Sequence, residues 1–255
     1  MSGMTAACWL AVAAGVAAAA PLGVVNPSFE DTTGATVFNE FTFGPPPGWQ
    51  LYDPGSITGG GAGPTYYVGT LNPSTTGPGP AFPWITAGPP DGNRVAIAFN
   101  FVGSGGQGEY GLQQALAATL QPNTRYTLQV EVINIASGTA VNGTIFNLTG
   151  FPGYRVDLLA GGVVIASDNN TLAGSIPEGE YRTSTVNFIT GASHPQLGQA
   201  LGIRLVNLNQ ALGSADIEVD FDHVRLDATP VPEPTSLALL AASAAAGLAV
   251  LRRRR

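Results

Sequence analysis

Residues 126–132 alternate: Tyr126, Leu128, Val130 and Val132 fall on one side of an extended backbone, and Thr127, Gln129 and Glu131 on the other. A two-residue period of this kind predicts a strand with one face in a core. The turn formers Gln121-Pro122-Asn123-Thr124 stand just before it. Similar runs predict strands over residues 95–101, 154–159, 163–167, 182–189, 201–207 and 217–226. Between two of them, Ala160-Gly161-Gly162 reads as a hairpin turn. In the last run Ile217, Val219 and Phe221 point inward, while Glu218, Asp220 and Asp222 alternate outward as a solvated face does. Val224 and Leu226 then carry the apolar character on the opposite parity, which predicts a β-bulge near Asp222-His223. Only residues 111–120 show helical spacing, through Leu112, Ala115, Leu116 and Leu120, and an irregular strand fits them equally.

Residues 44–93 are dense in proline and glycine, including Pro45-Pro46-Pro47, Gly59-Gly60-Gly61 and Gly77-Pro78-Gly79-Pro80. Strands rarely tolerate that composition, so this stretch reads as long loops. The pattern as a whole predicts an all-β fold, an antiparallel β-sandwich with long Pro/Gly-rich loops.

The two ends follow another pattern. Cys8 to Ala20 form an apolar, alanine-rich run that closes on small residues, so residues 1–20 read as a secretory signal peptide using the Sec machinery. A buried N-terminal helix is the alternative. Residues 21–229 form the β-sandwich domain. In residues 230–255, Val231-Pro232-Glu233-Pro234 precedes seventeen uncharged residues and then Arg252, Arg253, Arg254 and Arg255. As a helix those seventeen reach about 25 Å, enough to cross the inner membrane with arginines at the cytoplasmic interface.

Charge narrows the range of partners. Charged residues make up 11% of the chain, the formal net charge is −7, and every basic residue is an arginine. Four of the ten are the last four residues, which leaves the domain more acidic than the total suggests. Such a surface repels phosphate backbones and disfavours nucleic acid. Cys8, the single cysteine, lies in the leader, so no disulfide is available to the domain.

The order Pro-Glu-Pro, apolar segment, arginine cluster resembles the PEP-CTERM sorting signal. The resemblance implies an exosortase that cleaves near Pro232–Pro234 and delivers the domain to the cell surface or an extracellular matrix. An ordinary C-terminal anchor is the alternative.

The domain resembles carbohydrate-binding modules and the galactose-binding-like jelly roll. The resemblance rests on Val25-Asn26-Pro27-Ser28-Phe29-Glu30, Gly48-Trp49, Asp91-Gly92-Asn93-Arg94-Val95, the segment from Leu116 to Leu128, and Val219-Asp220-Phe221-Asp222-His223-Val224. It implies a structural calcium between the first and last strands, with Glu30 and Asp222 as ligands and Asp220 as an alternate; solvated surface acids are the other reading. It also implies a sugar platform, which would draw on Trp49, Tyr52, Tyr66, Tyr67 and Trp84. The same aromatics, Trp49 above all, serve equally to pin the loops.

Catalytic signatures are few. His194 and His223 are the only histidines, and neither a Gly-x-Ser-x-Gly elbow nor a His-Glu-x-x-His motif is present. These observations predict an exported structural or adhesive domain rather than an enzyme, with exopolysaccharide binding as the alternative function.

Overall fold

The computed structural model describes residues 18–73, 84–101 and 108–232. Its regular structure is entirely β. In chain order the strands are β1 (Ala20–Leu22), β2 (Thr36–Phe38), β3 (Phe41–Phe43), β4 (Gln50–Tyr52), β5 (Tyr66–Leu71), β6 (Val95–Asn100), β7 (Tyr110–Thr119) and β8 (Thr124–Asn134). There follow β9 (Gly138–Thr139), β10 (Ile145–Phe146), β11 (Tyr154–Ala160), β12 (Val163–Asn169), β13 (Glu180–Ile189), β14 (Ala200–Asn207) and β15 (Ile217–Pro230).

Two antiparallel sheets face each other. The larger runs β13-β8-β15-β6-β5-β3-β2, with β1 against β15; the smaller runs β12-β11-β14-β7-β4. β9 and β10 form a separate two-stranded hairpin. Between the sheets lies the main core. The large sheet supplies Tyr126, Leu128, Val130, Val132, Val219 and Phe221, and the small one Leu112, Val156, Leu158, Ile203 and Leu205. Burying alternate residues of each strand in this way is the chief driving force for a sandwich.

A second apolar layer covers the outer face of the large sheet. Tyr67, Leu71, Val95, Ile97, Phe99 and Ile133 project into it, and Phe41, Trp84, Ile85, Ala140, Phe146 and Leu148 pack against them. Strands β5 and β6 are therefore buried along their whole length.

Several expectations change. Of the two readings left open for residues 111–120, the strand holds over 111–119, because Leu112 and Leu116 enter the core beside β14. The Pro/Gly-rich stretch contains β4 and β5, and β5 sits inside the large sheet. Glu218, Asp220 and Asp222 do face away from the main core, yet they are buried: the second layer covers Glu218 and Asp220, and Asp222 lies against the turn that carries Asp91. The predicted bulge is present: the register between β15 and β8 shifts between Asp222 and Arg225, and His223 has φ 49°. The shift brings Val224 and Leu226 into the main core. The leader up to residue 17, and Glu233, Pro234 and Arg252–Arg255 of the sorting tail, lie outside the described residues. Among the described residues no helix is long and apolar enough to cross a membrane.

Candidate active site

The outer face of β15 carries the chemistry. Register places Glu218 beside Phe99 and Phe99 beside Tyr67. Asp220 lies between Ile133 on β8 and Ile97 on β6. Asp220 is fully buried and Glu218 is 6% exposed. Glu218 Oε1 and both Asp220 oxygens are buried and meet no hydrogen-bond donor. Burial pushes both carboxyls above the ordinary carboxylate range. The charge of Glu218 nearby raises Asp220 further. Tyr67 is held above its ordinary value by burial first, then by Glu218, Asp220, Asp216 and Glu40.

Beside this pair opens a cavity of about 360 Å³. Its walls are aromatic: Phe38, Phe41, Phe43, Tyr67, Phe101 and Phe146. Asn142 and Thr144 add polar groups, and among the described residues no charged one lines it. The rings support one another, Phe43 meeting Tyr67 edge-on at 4.9 Å and Phe99 meeting Phe101 at 4.6 Å. Neither acid is a wall residue. Tyr67 connects the two features, since it lines the cavity and lies within the field of the acids.

The structure separates the aromatic residues singled out in the sequence. Trp49 and Tyr66 are buried in the main core. The Trp49 indole donates to Asn26 O at 3.1 Å and its ring packs on Phe29, so it closes the N-terminal loop on the sandwich. Tyr67 and Trp84 belong to the outer layer. Tyr52 lies on the small sheet with the Arg204 guanidinium 4.1 Å over its ring. The five do not form one exposed row. The cavity phenylalanines went unnoticed in the sequence because they come from three separate segments, around residues 38–43, 101 and 146.

The acid trio divides as well. Glu30 and Asp222 meet across the turn at residues 91–94. Glu30 Oε1 accepts from Asn93 N at 2.6 Å and Arg94 N at 2.7 Å. Asp222 accepts from Asp91 N at 2.8 Å and His223 N at 2.7 Å. Burial, with Asp91 and Glu30 nearby, raises Asp222 to about 8. Asp220 pairs instead with Glu218. Among the described residues no group of three or more His, Cys, Asp or Glu side chains is arranged to hold a metal. A hard cation between Glu30 and Asp222 would draw on backbone carbonyls and water for its remaining ligands.

Fold and site together define a two-sheet β-domain that encloses a carboxyl pair beside an aromatic cavity. The chain matches the family described as HpiC1 cyclase over residues 20–227 and belongs to that family. A cyclase from Fischerella sp. TAU is 41% identical with a TM-score of 0.68, the match covering 85% of this chain and all of that one. A Stig cyclase from Fischerella sp. TAU, in complex with (3Z)-3-(1-methyl-2-pyrrolidinylidene)-3H-indole, is 40% identical with a TM-score of 0.68, covering 84% and 100%. Another Fischerella sp. TAU cyclase structure, with 4-(1H-indol-3-yl)butan-2-one, is 40% identical with a TM-score of 0.67 and the same coverage. The xylan-binding module of Paenibacillus barcinonensis Xyn10C reaches 11% identity and a TM-score of 0.42, a level that says nothing about ligand. A search of curated proteins found no match.

Membership of a cyclase family overturns the expectation of a non-enzymatic domain. That expectation relied on missing histidine and serine motifs, and carboxyl chemistry on a strand leaves no such motif. Residues 230–255 match the PEP-CTERM protein-sorting motif. The motif implies an exported protein processed by an exosortase and supports a surface location.

Proposed function

We propose that the chain is an exported cyclase that works by proton donation. The observation that carries this reading is the buried Glu218–Asp220 pair, short of donors beside an aromatic cavity, where burial holds Asp220 well above the ordinary carboxylate range. A carboxylic acid held neutral in an apolar site can act as a general acid at neutral pH. Protonation of an unsaturated carbon creates a carbocation. A π bond of the same substrate attacks it and closes a carbon–carbon bond, and loss of a proton back to the carboxyl pair restores a neutral product and the acid. No oxidant or reductant enters.

The cavity suits such an intermediate. Aromatic faces attract cations. Glu40 and Asp216 also lie near Tyr67, a setting that favours neutral or cationic substrates and opposes phosphorylated ones. The indole compounds held by the Fischerella proteins support a substrate of that size and aromatic character.

The test is Asp220→Asn, which keeps the shape and removes the acid. Turnover of an indole-bearing polyene should fall by about 10²- to 10⁴-fold, while 4-(1H-indol-3-yl)butan-2-one still binds. Undiminished turnover would exclude Asp220 as the donor.

Two structural elements complete the proposal. Until the exosortase acts, the apolar tail holds the domain at the inner membrane. A calcium ion at Glu30 and Asp222 would neutralise carboxyls that crowd beside Asp91 and would fasten the N-terminal loop to β15. Calcium should then raise the melting temperature by several degrees over chelated protein (each ~1 kcal/mol being worth about 2–4 °C at this size). Identical melting with calcium and with chelator would remove the ion.

A further inference from the structure

We propose that the β9–β10 hairpin is a flap over the aromatic cavity and that Glu40 is its latch, a positioning residue apart from the reacting atoms. This rests on the reading of the cavity as the substrate site. The hairpin belongs to neither large sheet, and its strands pair only with each other. Yet residues 140–146 supply Ala140, Asn142, Thr144 and Phe146 to the cavity wall. At its base Asp216 N donates to Asn147 O at 2.7 Å. Phe146 packs edge-on against Phe99 and Trp84. The tip is tied by Val141 N, which donates to Glu40 Oε1 at 2.7 Å.

Glu40 itself is fixed. It stands in the turn between β2 and β3, after Asn39 at φ 53°. Its carbonyl accepts from Asn72 N at 2.8 Å and Arg94 Nη2 at 3.0 Å. The residue is 1% exposed, and Oε2 is buried with no donor. Among the described residues it joins no ion pair. A buried carboxyl oxygen without a donor destabilises the closed arrangement, and lifting the flap lets water reach it. Opening therefore exchanges the Val141 bond for hydration of Glu40. The closed and open states are balanced by one side chain, at the wall through which a substrate enters.

Hydrogen exchange at the Val141 amide of the full chain tests this, together with release rates of 4-(1H-indol-3-yl)butan-2-one. Glu40→Gln keeps the acceptor and is less costly to bury; exchange and release should both slow severalfold. Glu40→Ala removes the latch, and both should quicken about tenfold, with amides of β8 unchanged. Unaltered Val141 exchange in both variants would overturn the latch. Equal quickening in both would overturn the hydration balance and leave Glu40 a simple strut. If Glu40→Ala does not fold, Glu40→Gln decides alone, since it opens no cavity. Val141 responses as expected in a protein that binds no indole ketone would retain the flap and refute the substrate site.

Discussion

At Glu109 a carboxyl receives two kinds of donor. Tyr52 OH donates at 2.6 Å, and Arg155 donates from both terminal nitrogens, Nη2 at 2.9 Å. Arg155 Nε also reaches Asp157 at 3.0 Å, and Arg204 approaches the same carboxyl at 3.6 Å. The Arg155 hydrogen bonds hold Glu109 below its ordinary value of 4.5, although partial burial opposes them. A carboxyl lowered in the folded state stabilises the fold above its unfolded pKa, and that stability is lost as pH falls through the folded value. Wild type should therefore lose melting temperature below pH 4.5 more steeply than Glu109→Gln. With the side chain 30% exposed, screening limits the difference at neutral pH to about 1 kcal/mol. Parallel acid profiles of the two proteins would show that the pair contributes nothing.

Among the elements, β5 shows how a glycine builds a wall. Gly69 faces Phe43 on β3, and a Cβ there would lie 1.8 Å from Thr42 O. Only a residue without a side chain lets β3 come this close, and that approach places Phe41 and Phe43 in the cavity. Gly69→Ala should push the strands apart and cost about 1–3 kcal/mol, read as a lower urea midpoint with the same slope; an unchanged midpoint would mean that β3 yields freely. The sequence made β8, β11, β13, β14 and the β15 bulge legible, because one face of each is apolar and the other largely polar. Gly69 illustrates why β5 was not: glycine counts against a strand until the neighbouring backbone is known. Period two also tells which side of a sheet Glu218 and Asp220 occupy, but not whether a second layer covers that side. A hint existed in Val95-Ala96-Ile97-Ala98-Phe99, an unbroken apolar run of the kind that marks a strand buried on both faces. Its neighbour β15 shares that cover, so acids placed there were bound to be buried. The cavity itself was not legible, since its phenylalanines meet only after the β2–β3 hairpin, the end of β6 and the β9–β10 hairpin fold together.

For the molecule as a whole, the position of the site along β15 decides how sorting and chemistry coexist. β15 begins at Ile217 beside Asn100, next to the cavity residue Phe101, and ends at Pro230, where β1 pairs through Ala20 with Ala228. Fourteen residues of strand separate these points, roughly 40 Å at 3.3 Å per residue with allowance for the bulge. The segments leading to the leader and to the sorting tail thus leave the domain together, far from the flap. Among the described residues, neither 18–22 nor 228–232 lines the aromatic cavity. A chain ending at Pro232 should therefore bind 4-(1H-indol-3-yl)butan-2-one within about twofold of the full chain, a difference below ~0.5 kcal/mol, and should differ only in membrane retention. A large loss of affinity on removing the tail would mean that the tail reaches the cavity, and the separation of tether from site would be refuted.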